Sequence, residues 1–122
     1  MTARDPDALA FRLREEEGAA VVSLEGRMSQ GAYGAVFRRI LEAVSADSLH
    51  RVVLDLSGVP YVSSAGLAAI VRIQHEWPAA GVRFCLAGAT PLVARLLESV
   101  ELGRIVLIRE TVEEAKKAFE GT

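Results

Sequence analysis

Hydrophobic residues recur along the chain in patterns that alternate between strand and helix. Residues 11–14 and 20–24 are typical of two short strands, and the acidic turn Glu15-Glu16-Glu17-Gly18 between them predicts a β-hairpin. Between Ser29 and Ala46, apolar side chains recur at i, i+3, i+4, i+7, i+8 and i+11, the spacing of one buried helical face. These positions are Tyr33, Val36, Phe37, Ile40, Leu41 and Val44.

The middle of the chain predicts a third strand and a second helix. Val52-Val53-Leu54 is a β-branched run without polar alternation, as expected of a central strand covered on both faces. Turn residues 57–60 follow it, and a helix is predicted to start at Ser63 or Ser64 and to end at Pro78. The predicted inner face of this helix comprises Leu67, Ile70, Val71 and Gln74, with Trp77 sealing its end.

The last third repeats the alternation. Residues 82–86 and 105–108 predict strands, and Thr90-Pro91 supplies an N-cap and a first-turn proline for the helix between them. Thr111 and Glu114 have the spacing of a capping box that opens a final surface helix. The expected buried residues are Leu92, Val93, Leu96 and Leu97 in the first helix and Val112, Ala115 and Phe119 in the second, with Glu113 and Lys117 paired four apart.

The resulting order, ββαβαβαβα, predicts an α/β fold. Strands that alternate with helices favour a mixed, mainly parallel sheet of four to five strands with about four helices packed upon it. Right-handed crossovers leave few alternative topologies. We expect one domain, residues 9–122, after a frayed N-terminal segment, residues 1–8.

Composition narrows the class of function. A chain of 122 residues, 51% of them hydrophobic, has the size and apolar content of one globular core. The net charge of −2 gives no broad attraction to nucleic acid or anionic lipid, so nucleic-acid binding is not expected. The uninterrupted apolar stretches are short, so direct membrane insertion is not expected either. The N-terminus lacks the apolar segment of a signal peptide, which favours a cytoplasmic protein.

The nucleophilic and metal-ligating residues do not predict an enzyme. Cys85 is the single cysteine and lies in a predicted strand, where a cysteine usually serves as a small buried hydrophobic residue. His50 and His75 are the only histidines, so the chain has too few cysteine and histidine ligands for most structural zinc sites. The window from Val62 to Gly66 contains only the second half of a Gly-x-Ser-x-Gly elbow. His75 would lie about 16 Å along the helix from Ser64, beyond hydrogen-bond reach. No cofactor is expected either.

The segment from Asp55 to Leu67, Asp-Leu-Ser-Gly-Val-Pro-Tyr-Val-Ser-Ser-Ala-Gly-Leu, runs from a buried strand through a loop into a helix N-terminus. Such a terminus exposes unpaired N–H groups and favours anions, although a serine there most often only caps the helix. Asp55 either positions the loop or accepts hydrogen bonds from its N–H groups. Gly66 in the first helical turn indicates close approach of the sheet or of a partner, whereas Gly58 indicates a turn.

The same segment resembles the signature of STAS domains, specifically of bacterial anti-sigma-factor antagonists, and a weaker resemblance covers residues 10 to 120. The resemblance implies that Ser64, two residues before the motif glycine, is phosphorylated by a serine kinase that is also an anti-sigma factor. Ser63 stands where many relatives have Asp, Ala65 where others have a second Ser, and Arg27-Met28 where relatives often have Leu-Asp. The implied phosphosite loop and partner surface comprise Asp55, Ser57, Gly58, Ser63, Ala65, Gly66 and Leu67.

The function implied by this resemblance is a partner switch. The unphosphorylated protein would sequester the kinase/anti-sigma factor, phosphorylation of Ser64 would release it, and a serine phosphatase would reset the system. STAS domains also occur as non-switching subunits of transport assemblies, including lipid transport, and as scaffold pieces of signalling assemblies. That alternative predicts the same fold without phosphate transfer.

Overall fold

A computed structural model describes residues 9–28 and 33–119 of the chain. The element order is the one predicted from the sequence, with short 3₁₀ turns at Trp77–Ala80 and Leu102–Arg104. Residues 1–8, which the sequence predicts to be frayed, lie outside the described residues, as do residues 29–32, which precede the periodic part of the first predicted helix, and the last three residues. The strands are β1 Ala10–Glu16, β2 Ala19–Glu25, β3 Arg51–Gly58, β4 Arg83–Ala87 and β5 Leu107–Arg109, and the helices are α1 Tyr33–Ala46, α2 Ser64–Glu76, α3 Pro91–Ser99 and α4 Val112–Ala118.

The five strands form one mixed sheet in the order β1-β2-β3-β4-β5. β1 and β2 form the predicted antiparallel hairpin, whose turn residues Glu17 and Gly18 both have positive φ, as tight hairpin turns require. The remaining neighbours are parallel, and β3 is central, as its uninterrupted apolar run predicted. This order places the carboxyl ends of β2, β3 and β4 at one edge of the sheet, where the loops to α1, α2 and α3 leave it.

The hydrophobic core has two layers because successive strand residues point to opposite faces of the sheet. One layer joins sheet residues such as Val22, Leu54 and Leu86 to α1, α2 and α3, and the other joins Val53 and its neighbours to α4. The core residues of the second layer are Val21, Val53, Cys85, Ala87, Ala115 and Phe119. The short helix α4 covers this face of the sheet, whereas α1, α2 and α3 pack on the other face.

Some sequence predictions about packing were wrong at the ends of elements. Leu92 is 49% exposed, because Val93 and Leu97 form the inward row of α3 and Leu92 is rotated away from it. Ile105, predicted to begin the last strand, is 54% exposed, because a 3₁₀ turn precedes it and the strand begins only at Leu107.

The structure also differs from two predictions about side chains. The inner face of α2 is Gly66, Ala69, Ile70 and Ile73, rotated from the predicted set toward smaller side chains. Glu113 pairs with Lys116 at 3.1 Å rather than with Lys117. Lys116 turns toward the β1–β2 hairpin, and the shorter i to i+3 pairing follows from that direction.

No helix in the described part of the chain is long and apolar enough to cross a membrane.

Candidate functional site

The site begins at the N-terminus of α2, where Ser63 is the cap residue. Its backbone is extended, and the N–H of Gly66 donates to its Oγ at 3.2 Å, which satisfies one donor of the first helical turn. The capping role that the sequence allowed to either serine therefore belongs to Ser63. Ser64 becomes the first residue of the helix.

The β2–α1 loop supports this helix start from the side. The Met28 N–H donates to the Tyr61 carbonyl at 2.9 Å, and the Ser63 N–H donates to the Met28 carbonyl at 2.7 Å. Met28 and Val62 form an isolated parallel bridge, and both side chains are buried. The loop that carries the two serines is thus fixed to its neighbour on both sides of Val62.

Gly66 is explained by the same contact. A Cβ at this position would lie 2.8 Å from the Met28 carbonyl oxygen and 2.9 Å from a Val62 methyl carbon. The close approach that the sequence assigned to either the sheet or a partner is therefore an internal contact with the neighbouring loop. A helix start tilted onto Met28 in this way requires glycine.

Ser64 is exposed at this helix start, and its hydroxyl makes no hydrogen bond to any residue in the described ranges. Its neighbour Ala65 is also exposed, and the first turn of α2 contains no acidic residue. The N–H groups of a first helical turn lack intrahelical acceptors and carry partial positive charge. The hydroxyl thus lies at a position that favours an added negative group.

A cation lies beside the same loop. The Arg27 guanidinium carbon is 5.3 Å from the centroid of the Tyr61 ring, within the range of a cation–π contact. Arg27 is exposed and precedes Met28, and Tyr61 lies two residues before the cap. The sequence identified Arg27-Met28 only as a departure from relatives, and its pairing with the serine loop required the folded backbone.

Asp55 serves a different part of the strand ends. Its Oδ1 accepts from the Ser57 N–H at 3.0 Å, and Gly88 approaches so closely that a Cβ there would be 2.7 Å from the same oxygen. Of the two roles left open for Asp55, the structure therefore shows the bond to the loop N–H. No hydrogen bond joins Asp55 to Ser64 among the described residues.

Gly58 was predicted as a turn residue and instead is the last residue of β3, paired with Glu25. A Cβ at Gly58 would lie 2.7 Å from the Leu24 carbonyl oxygen. The glycine is required by the close approach of β2 and not by a turn conformation. Ser57, also predicted as turn, is an exposed strand residue.

The structure brings only part of the predicted set together. Ser63, Ser64, Ala65 and Gly66 form the helix start, and Leu67 is half-buried behind them. Asp55, Ser57 and Gly58 lie earlier on β3 and shape its end. Met28 was missed, although a glycine in a first helical turn already signals that another backbone lies close to it.

Other chemical groups of the chain lie away from this site. Cys85 is buried in β4, and burial raises the pKa of its thiol to about 11. His50 and His75 are exposed. No group of three or more His, Cys, Asp or Glu side chains that could hold a metal ion occurs among the described residues.

Comparison with solved structures identifies the architecture. The chain is 23% identical to an anti-sigma factor antagonist from Mycobacterium paratuberculosis, with 95% of this chain and 97% of that one covered and a TM-score of 0.75. It is 20% identical to the Bacillus cell fate determinant SpoIIAA in its phosphorylated form, with 90% and 99% covered and a TM-score of 0.60. A murine anion transporter of solute carrier family 26 is 16% identical, with 89% of this chain but 19% of the transporter covered and a TM-score of 0.74.

The family model of the STAS domain matches residues 10–115, from the first residue of β1 to the middle of α4. That range includes the complete sheet and the α2 helix start with its two serines. The chain belongs to the STAS domain family.

Proposed function

We propose that this protein is an anti-sigma-factor antagonist whose binding to a serine kinase/anti-sigma factor is controlled by phosphorylation of Ser64. The unphosphorylated protein sequesters the kinase, the phosphorylated protein releases it, and a serine phosphatase resets the switch. The observation that carries this proposal is that the two serines at the start of α2 have different roles. Ser63 caps the helix, so the exposed Ser64 hydroxyl has no structural role in the described fold.

The fold tolerates a phosphate at Ser64 without rearrangement. Phosphorylation adds about −1.5 to −2 charges, and these would face the N-terminal turn of α2, which has no acidic side chain. The Ser63 cap and the Met28 bonds do not involve the Ser64 hydroxyl, so they remain intact. The charge therefore alters the surface and leaves the loop geometry unchanged.

A bound partner would respond more strongly than the protein itself. Ser64 and its exposed neighbour Ala65 are both small, so a partner backbone can approach the start of α2 closely. A phosphate within such a contact must lose water, and its charge then needs a compensating cation from the partner. Without one, the complex weakens while both proteins stay folded.

The comparisons support the class of function at a coarser level. The Mycobacterium paratuberculosis relative is an anti-sigma factor antagonist, and SpoIIAA is a protein for which a phosphorylated form exists. STAS domains of this kind are in general not enzymes, which agrees with a protein that receives a phosphate and does not transfer one. We place the protein in the cytoplasm, where such a kinase and its ATP are available.

The test combines phosphate mapping with binding. The purified protein is incubated with ATP and a candidate serine kinase/anti-sigma factor, and the product is mapped by mass spectrometry. We expect phosphate on Ser64, no transfer to S64A, and normal transfer to S63A, the matched control one residue away. S64A should bind the kinase constitutively and S64D poorly; equal binding by both would overturn the switch.

A second candidate function is a non-switching subunit or scaffold of a transport or signalling assembly. The observation in its favour is that a murine anion transporter contains this fold as 19% of its chain. A stable complex with the candidate kinase but no phosphate transfer would favour this role. In that case S64A, S64D and the wild type should bind alike.

A further inference from the structure

The exposed large apolar side chains of residues 9–28 and 33–119 are concentrated in one short segment. They are Leu92, Val100 and Ile105, with exposed fractions of 49%, 51% and 54%. Leu92 and the half-buried Leu96 on α3 and Val100 directly after its end are spaced four residues apart and form a ridge about 12 Å long. Single exposed hydrophobes are ordinary, but a ridge on one helix indicates a contact surface.

The flank of this ridge carries one charge of each sign. Arg95 and Glu98 are exposed and, with Leu92, Leu96 and Ser99, line a shallow groove along α3; we call these five residues the α3 face. Although Arg95 and Glu98 are three residues apart on one helix, neither is ion-paired with another residue in the part of the chain the structure describes. Both charges therefore remain available to an external partner.

We propose that the α3 face binds a second copy of this chain in an antiparallel, two-fold arrangement. In a two-fold contact, the same side of each helix meets the other copy, and the two helices run in opposite directions. If residue i of one copy contacts residue j of the other, residue j of the first copy also contacts residue i of the second, so the two residues must be complementary. Arg95 and Glu98 satisfy this condition: with the axis between residues 96 and 97, each Arg95 lies level with Glu98 of the other copy. Leu92 then lies level with the Val100 end of the opposite ridge.

The size of the face indicates a weak dimer. α3 has nine residues, so the contact is much smaller than the interface of a permanent oligomer, and its affinity depends on the two Arg95–Glu98 pairs and the Leu92–Leu96 ridge. The phosphosite loop is not part of the α3 face. This inference therefore stands independently of the proposed switch, and S64A should dimerise like the wild type.

Sedimentation equilibrium over a range of concentrations, with reciprocal charge reversals, tests the proposal. R95E and E98R should each weaken self-association by about tenfold or more, because each places like charges at both symmetric pairs. An equimolar mixture of R95E and E98R should restore a heterodimer, since both pairs are then opposite in sign. K117E, an exposed reversal on α4 at the opposite face of the sheet, is the control and should leave self-association unchanged.

Three results would overturn the proposal. A wild type that stays monomeric up to about 1 mM would assign the α3 face to a different protein. Self-association that is unaffected by R95E and E98R would place the contact elsewhere, for example on the edge strand β1. Loss of association in both variants without recovery in their mixture would contradict the two-fold pairing; circular dichroism of each variant establishes that it is folded.

Discussion

Gly66 lies against Met28 so closely that a Cβ on Gly66 would be 2.8 Å from the Met28 carbonyl oxygen. The same carbonyl accepts the Ser63 N–H at 2.7 Å. One backbone group of the β2–α1 loop therefore determines both where α2 starts and how closely its first turn approaches. The exposure of Ser64 follows from this contact, because the cap and the helix axis are fixed on the side of Met28.

Replacing Gly66 by alanine should destabilise the protein by about 1–3 kcal/mol, the usual cost of overpacking a fixed site. The neighbouring atoms are backbone and a buried valine, so they cannot move aside cheaply. Urea unfolding followed by circular dichroism measures the change. G66A should also reduce phosphate transfer to Ser64, because the acceptor loop must shift.

Gly34 provides the matched control for that substitution. It lies in α1, and a Cβ there would meet no atom within 4 Å. G34A should therefore be neutral or stabilising by up to about 1 kcal/mol, in line with helix propensity. Equal stability of G66A and the wild type would mean that the Met28 contact is looser than described.

Alanine substitutions of the two serines at the start of α2 should differ in their effect on the free energy of unfolding. S63A removes the acceptor of the Gly66 N–H and should cost about 0.5–2 kcal/mol, whereas S64A removes no hydrogen bond and should change stability by less than about 0.5 kcal/mol. Denaturant midpoints of the two variants, measured side by side, check this. A larger loss in S64A than in S63A would reverse the assignment of cap and acceptor.

Lys116 joins α4 to the hairpin turn a hundred positions earlier in the chain. Its Nζ lies 3.0 Å from Glu16, 2.8 Å from Glu17 and 3.1 Å from Glu113, and its side chain is only 9% exposed. K116M keeps the length of the side chain but removes the cation that these three carboxylates share, and of the three Glu16 still has Arg14 as an ion-pair partner. Its urea midpoint should fall below that of K117M, the exposed neighbour, at neutral pH.

The effect of K116M should depend on pH in a defined direction. The Arg14 guanidinium, and then the Lys116 ammonium, hold the pKa of Glu16 below its usual range, so this contribution is present above about pH 4.5 and is lost as pH falls through the lower folded value. Glu17, Glu16 and Glu113 raise the pKa of Lys116, whose contribution is lost only at strongly alkaline pH.

The difference in urea midpoint between wild type and K116M should therefore be constant from about pH 5 to 9 and should shrink in stronger acid. High salt should reduce it as well, because Glu17 and Glu113 are largely exposed. A difference that grows in acid would contradict the assignment to Glu16.

Cys85 should be unreactive in the folded protein. Its thiol is buried between the sheet and α4, and its raised pKa leaves little thiolate at pH 8. A thiol reagent such as DTNB should react at full stoichiometry in urea and only at the rate of unfolding under native conditions. Rapid native labelling would indicate that α4 opens from the sheet.

Local patterns in the sequence predicted the element order and most of the core. Periodicity of 3.6 in α1 and the continuous apolar run of β3 are local patterns that report burial directly, and Thr111 with Glu114 marked the start of α4. The Asp55–Leu67 segment also located the candidate site, because its order of strand, loop and helix start is written in consecutive residues.

The role of each residue within that segment depends on contacts with other parts of the fold. Ser63 and Ser64 are equivalent as capping residues in sequence, and the Met28 carbonyl, 35 positions before Ser63, selects the first as the cap. The roles of Gly58 and Gly66 were equally hidden, since each is set by a carbonyl oxygen on another element. Leu92 and Lys116 are further examples. Their apolar or charged character is read directly from the sequence, but the direction in which each side chain points depends on contacts between segments far apart in the chain.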